Sequence, residues 1–127
     1  MLETGHKCAA NQVLYNLENR EIEFDLLPWS GTTKIPIMAY SPVGHSGNLL
    51  RNATLKKIAQ SHNATPGQIA LAWVLRQPNV IAIPKASTKA HVRENAVSLK
   101  IKLTKEDLAD LDRAFPAPKS KKSLPML

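Results

Sequence analysis

Residues 65–88 read TPGQIALAWVLRQPNVIAIPKAST, and the architecture follows from this stretch. Thr65 is a good N-cap, Pro66 suits the first helical position and Gln68 can complete a capping box, so a helix starts here. Ile69, Ala72, Trp73 and Arg76 follow at helical spacing, and Pro78 ends the run. It reads as a packing helix. The next segment, VIAIP at 80–84, is rich in β-branched residues and is stopped by Pro84, the pattern of a buried strand. Beyond it, Ser87 or Thr88 caps a further helix over 89–99, with Val92, Ala96 and Leu99 expected to point inward.

Working outward, 9–14 (AANQVL) and 35–40 (IPIMAY) are two more buried-strand runs. Between them, Leu17, Ile22, Leu26 and Trp29 fall close to one helical face, which predicts a helix over 17–29 broken by Ser30-Gly31. Residues 54–62 set Leu55, Ile58, Ala59 and His62 on one side of another helix. Thr104 opens a last one carrying Leu108, Leu111 and Phe115. The order strand, helix, strand, helices, strand, helices requires parallel strands with crossover helices, so the fold class is α/β. Three parallel strands leave two unpaired edges, and the unit reads as incomplete. The stretch 116–127 (PAPKSKKSLPML) holds three prolines and no predicted element, and reads as a mobile or docking tail.

The chain has 127 residues, of which 43% are hydrophobic and 21% charged, a composition that supports one folded domain over 1–127. Lys and Arg exceed Asp and Glu by 17 to 10, and residues 116–127 carry three bases and no acid. That balance permits an anionic partner without choosing one. Aromatics at 5% are too few for the stacking platforms of single-strand binders, so nucleic acid ranks low. The lone Cys8 can form no internal disulfide and no cysteine-rich metal site, which fits a reducing, cytoplasmic setting. No membrane span or leader pattern is legible.

In α/β folds, ligands gather beyond the carboxyl ends of the strands, which selects Gln12 to Asn16, Tyr40 to Gly47 and Lys85 to Thr88. Lys85, Ser87 and Thr88 at a helix start suit a phosphate, although the same residues serve equally as a cap and a solvated lysine. Tyr40, Ser41 and Val43 end a strand in a Pro/Gly loop that can lay a ring on a flat cofactor and donate to a diphosphate, or can be an ordinary turn. Gln12 and Tyr15 in NQVLYN read as ligand groups or, more simply, as an amide and a hydroxyl satisfied in the interior. Glu94 and Asn95, early in the helix beside the phosphate candidate, are base partners or surface residues. The histidines at 6, 45, 62 and 91 lack the spacing of a metal helix, so no metal site is expected, and His62 is expected to end its helix and bind nothing. Ser41, Ser46 and His45 have no nucleophile elbow around them, and neither common nucleotide-loop pattern occurs.

The segments NQVLYN, FDLLPW, MAYSP, TPGQIALAWVLRQP, VIAIPKAS, HVRENA, LTKEDLADLD and FPAP occur in this order and spacing. Together they resemble the C-terminal half of a bacterial aldo/keto reductase. The resemblance implies part of a TIM (β/α)8 barrel, a fold of ~250 residues, with the three strands as its sixth, seventh and eighth. It implies a protein that reduces aldehydes and ketones with NADPH, and a missing N-terminal half. By motif position, Gln12 would hold the nicotinamide carboxamide and Tyr40 would stack on its ring. Ser41 and Val43 would hold the pyrophosphate. Lys85, Ser87, Thr88 and His91 would surround the 2′-phosphate, with Glu94 and Asn95 at the adenine. The tail would help cover the substrate mouth. Ala86 stands where the family often has Ser, and His91 where it often has Arg; an imidazole does not grip phosphate bidentately, so NADH stays open beside NADPH. The family's catalytic Tyr and the Lys, Asp and His that tune it belong to earlier strands, so no catalytic residue is assigned here and the isolated chain is expected to be inactive. Two other readings compete: a basic module using residues 85–122 to bind nucleic acid or an acidic protein, and a truncated remnant without function.

Overall fold

The computed structural model describes residues 8–127. Its strands are β1 (Asn11–Leu14), β2 (Ile37–Tyr40) and β3 (Val80–Ile83). They form one parallel sheet in the order β1-β2-β3, with Leu14, Tyr40 and Ile83 in one cross-strand row and Gln12, Met38 and Ile81 two rows earlier, on the same face. The helices are α1 (Leu26–Thr33), α2 (Ala53–Ser61), α3 (Pro66–Leu75), α4 (Lys89–Val97) and α5 (Lys105–Ala114), with short 3-10 turns at 21–23, 49–51 and 98–100.

The core lies on one face of the sheet. Val13, Ile37 and Ala39 alternate onto it and join Ile69, Ala70, Trp73 and Val74 of α3, Leu55 and Ile58 of α2, and Leu111 of α5. Every residue of α3 from Ile69 to Val74 is buried, which makes it the central packing helix that its apolar run predicts. Its capping box is formed as expected: Thr65 Oγ1 accepts from the Gln68 amide and Gln68 Oε1 accepts from the Thr65 amide. A second box, Thr104 with Asp107, opens α5.

The other face of the sheet is uncovered. Ile81 is 48% and Ile83 36% exposed, Gln12 is exposed, Met38 and Tyr40 are half-buried, and only Leu14 among the strand residues of this face is buried. The incompleteness inferred from three parallel strands is therefore visible as an open apolar face flanked by two edge strands.

Two expectations are corrected. The helix predicted over 17–29 does not form as one element. Asn16 Oδ1 accepts from the amides of Glu18 and Asn19 and closes a tight turn, a 3-10 turn follows, and α1 begins only at Leu26. Nor do Ser30 and Gly31 break the helix. Ser30 Oγ is buried and donates to the Ile35 carbonyl, Asn79 Nδ2 donates to Ser30, and α1 runs on to Lys34, whose φ of 59° makes the left-handed cap. The second correction is in α4, which ends at Val97 and buries none of its residues. Val92, Ala96 and Leu99 do face Leu71 and Leu75 of the core side, but across an open groove of about 260 Å³, so Val92 and Leu99 stay exposed.

Candidate functional site

Because the strands are parallel, the segments after β1, β2 and β3 all leave the sheet at the same end. Gln12 and Tyr40 alternate onto the same uncovered face, on neighbouring strands and two rows apart in register. Their side chains thus share a surface that no other described part of the chain covers with helix.

The segment after β2 is a tight, anchored turn. Ser41 adopts φ +47°, a left-handed conformation unusual for a residue with a side chain. Its carbonyl accepts two donors, the Gly44 amide at 3.0 Å and Asn16 Nδ2 at 2.9 Å. Pro42 is fully buried, and Val43 packs against the core, so the turn is pinned from below while Ser41 keeps some exposure. Gly44, at φ +76°, holds a backbone conformation that strains any side chain, and a methyl there would also press on Leu49 Cβ at 3.3 Å.

The segment after β3 leads into the N-terminus of α4. Thr88 is the N-cap, its Oγ1 accepting from the His91 amide at 3.2 Å, and its partner candidate Ser87 stays outside the helix. Lys85, Ser87, Thr88, His91 and Glu94 are exposed and Asn95 is half-buried. Positive charge, hydroxyls and the positive end of a helix therefore share one exposed surface. Glu94 is less free than its spacing suggests. Its carboxylate accepts from Thr65 Oγ1 at 3.2 Å and its carbonyl accepts from Gln68 Nε2 at 3.0 Å, which fastens α4 to the capping box of α3.

A buried polar cluster stands beside the β1 segment, of which the sequence signals only Tyr15 as a satisfied interior hydroxyl. Arg20 bonds Glu23, Asp112 and the Phe115 carbonyl, and its guanidinium lies 5.0 Å from the centre of the Trp73 ring, while that of Arg76 lies 4.1 Å from it. Tyr15 donates to Glu23 at 2.7 Å, and burial first, then the neighbouring Glu23 carboxylate, pushes its phenol well above its ordinary value. A phenol so held is a hydrogen-bond donor at any working pH. The periodicity of 17–29 gave no hint of this cluster, because its partners come from α3 and α5.

His62 ends α2 as expected, but it does not stand alone: its Nε2 lies 2.6 Å from Asp107 Oδ2 of α5. His45 and His91 are exposed, and His6 lies outside the described residues. Among the described residues no three His, Cys, Asp or Glu side chains gather into a metal-binding group, and no helix is long and apolar enough to cross a membrane.

Comparison with known proteins places this geometry. The profile of the Aldo/keto reductase family matches residues 1–115. Methylglyoxal reductase YeaE of Escherichia coli is 49% identical over 130 residues, covering 99% of this chain and 46% of that protein. Pyridoxine 4-dehydrogenase of the same organism is 39% identical over 108 residues, covering 83% and 36%. Among solved structures, an aldo-keto reductase from Klebsiella pneumoniae in complex with NADPH superposes with a TM-score of 0.89 at 45% identity, over 94% of this chain and 44% of that one. The same description with NADP and acetate gives 0.91. The chain thus spans a little under half the length of the relatives it matches, and it belongs to the aldo/keto reductase family.

Proposed function

We propose that this chain is the cofactor-binding portion of an NADPH-dependent reductase of aldehydes and ketones, with its three strands as the sixth to eighth of a (β/α)8 barrel and the substrate mouth completed by the remainder of that barrel. The observation that carries the reading is the uncovered sheet face. Gln12 and Tyr40 share it, and the 41–44 turn and the 85–91 segment leave the sheet at its carboxyl end. An apolar, half-exposed face on a parallel sheet is what the inside of an incomplete barrel looks like. The solved relatives that contain NADPH or NADP support the choice of cofactor.

The residues present fit that cofactor. The Gln12 amide would hold the nicotinamide carboxamide, and the Tyr40 ring, half-buried on the same face, would stack on the nicotinamide ring. The Ser41 hydroxyl and the Val43 backbone in the pinned turn hold the pyrophosphate. Lys85, Ser87, Thr88 and His91 take the 2′-phosphate at the start of α4, where the helix dipole and the lysine favour the same dianion. Asn95 meets the adenine. Glu94 does so only through atoms not already engaged by Thr65 and Gln68. When bound, the dihydronicotinamide supplies hydride to a carbonyl carbon. The general acid that protonates the carbonyl oxygen is assigned to the remainder of the barrel, so the chain alone binds without turnover.

Titration of the purified chain with NADPH, followed by nicotinamide fluorescence, tests the reading. Saturable binding that Tyr40→Ala weakens through the nicotinamide and Lys85→Ala weakens through the 2′-phosphate, each by about tenfold, is the expected result. No saturable binding, or binding insensitive to both substitutions, would overturn it.

A further inference from the structure

We infer that Asn16 is a positioning residue for the cofactor: its side chain holds the Ser41 backbone in its left-handed conformation and so aims both the Tyr40 ring and the 41–44 turn. The inference rests on the cofactor reading just given and adds to it a residue that never touches the cofactor itself.

Asn16 is fully buried, 0% exposed, yet it belongs to a loop rather than to a strand or helix. All of its amide capacity that matters is used. Oδ1 accepts from the Glu18 and Asn19 amides, both at 2.9 Å, and its backbone exchanges hydrogen bonds with Asn19, so the side chain is locked from its own loop. Nδ2 then reaches across 25 residues of sequence to donate to the Ser41 carbonyl at 2.9 Å. That carbonyl sits directly after Tyr40, and its other donor, the Gly44 amide, closes the turn. Ser41 has φ +47° without being a glycine, so its conformation persists only where surrounding structure determines it. The Asn16 and Gly44 amides on its carbonyl and the buried Pro42 beside it supply that determination. Without the Asn16 donor the Ser41 carbonyl keeps only the Gly44 amide, so the residue that joins Tyr40 to Pro42 loses one of the two hydrogen bonds that fix it. Sequence inspection cannot show this, because Asn16 closes NQVLYN as an ordinary turn residue.

Asn16→Asp tests the donor alone. It is isosteric and keeps an acceptor for Glu18 and Asn19, but faces the Ser41 carbonyl with an oxygen. Asn16→Ala is the second variant, in case the buried carboxylate prevents folding. Two probes divide the cofactor: NADPH, which spans the whole site, and adenosine 2′-monophosphate, which has no 5′-phosphate and so reaches only the 85–95 end. A third readout, amide exchange at Gly44, needs no cofactor. NADPH affinity is expected to fall by about tenfold, adenosine 2′-monophosphate affinity to change by less than about twofold, and Gly44 exchange to quicken while α3 stays protected. Parallel loss of both affinities would show general destabilisation, and either NADPH binding or Gly44 exchange at the wild-type level would refute the positioning role. Wild-type chain that binds neither probe refutes the cofactor reading instead, and the positioning role falls with it.

Discussion

Arg20 shows how one side chain ties three parts of the molecule. It is 6% exposed, bonded to Glu23, to Asp112 and to the Phe115 carbonyl, and stacked on Trp73. Arg20→Met keeps much of the stem's apolar burial but leaves Glu23, itself largely buried, with the Tyr15 hydroxyl at 2.7 Å and a single distant counter-charge, Arg76 at 3.9 Å. The expected loss is about 3 kcal/mol, read as a shift in the urea midpoint without a change in slope. Asp107 carries the pH dependence. Partial burial pushes its carboxyl up, and the Thr104 amide and His62 more than offset this, so it lies below the ordinary aspartate range. A depressed carboxyl contributes stability above its unfolded pKa and loses that contribution as pH falls through the folded one. The thermal midpoint of the wild type therefore drops more steeply below about pH 4 than that of Asp107→Asn, which lacks both the pair and its titration. Identical slopes for the two would show that the His62 pair contributes nothing.

Among the elements, those whose signals are local were legible in the sequence. All three strands and the Thr65 capping box stand where apolar runs and cap residues predict them, but β3, expected to be buried, buries none of its residues because its second face is open. The region 17–33 was not legible, because a turn closed by Asn16 and a helix end secured by Asn79 depend on side chains that no short window joins. Candidate site residues at strand ends were legible as positions, since alternation and parallel order place them. Their anchoring was not: Asn16 on Ser41 and Thr65 on Glu94 are long-range partners. The apolar stripe of α4 was read on the correct side, yet the groove in front of it stays open, so α4 holds no buried residue. Few buried apolar groups means a low local opening energy. Amides of 92–97 are expected to exchange at least about a hundredfold faster than those of 70–75 in the same protein, by site-resolved hydrogen exchange. Equal protection would mean that the chain alone closes the groove.

At the scale of the whole molecule, an uncovered parallel sheet with Ile81 and Ile83 exposed and two strand edges unpaired among the described residues is a surface built to be covered. The isolated chain is expected to self-associate with rising concentration in sedimentation velocity, and Ile81→Lys, which sets a charge on the open face without entering the core, to return it toward monomer. A wild type that stays monomeric at high concentration would show that this face needs no cover. The central claim is that the same open end receives NADPH, and amide exchange with and without saturating NADPH tests it most directly. The account predicts slowed exchange at Val43, Gly44 and Lys89–His91 with α5 unchanged; no protection at either segment, or protection confined to the tail beyond Phe115, would contradict it.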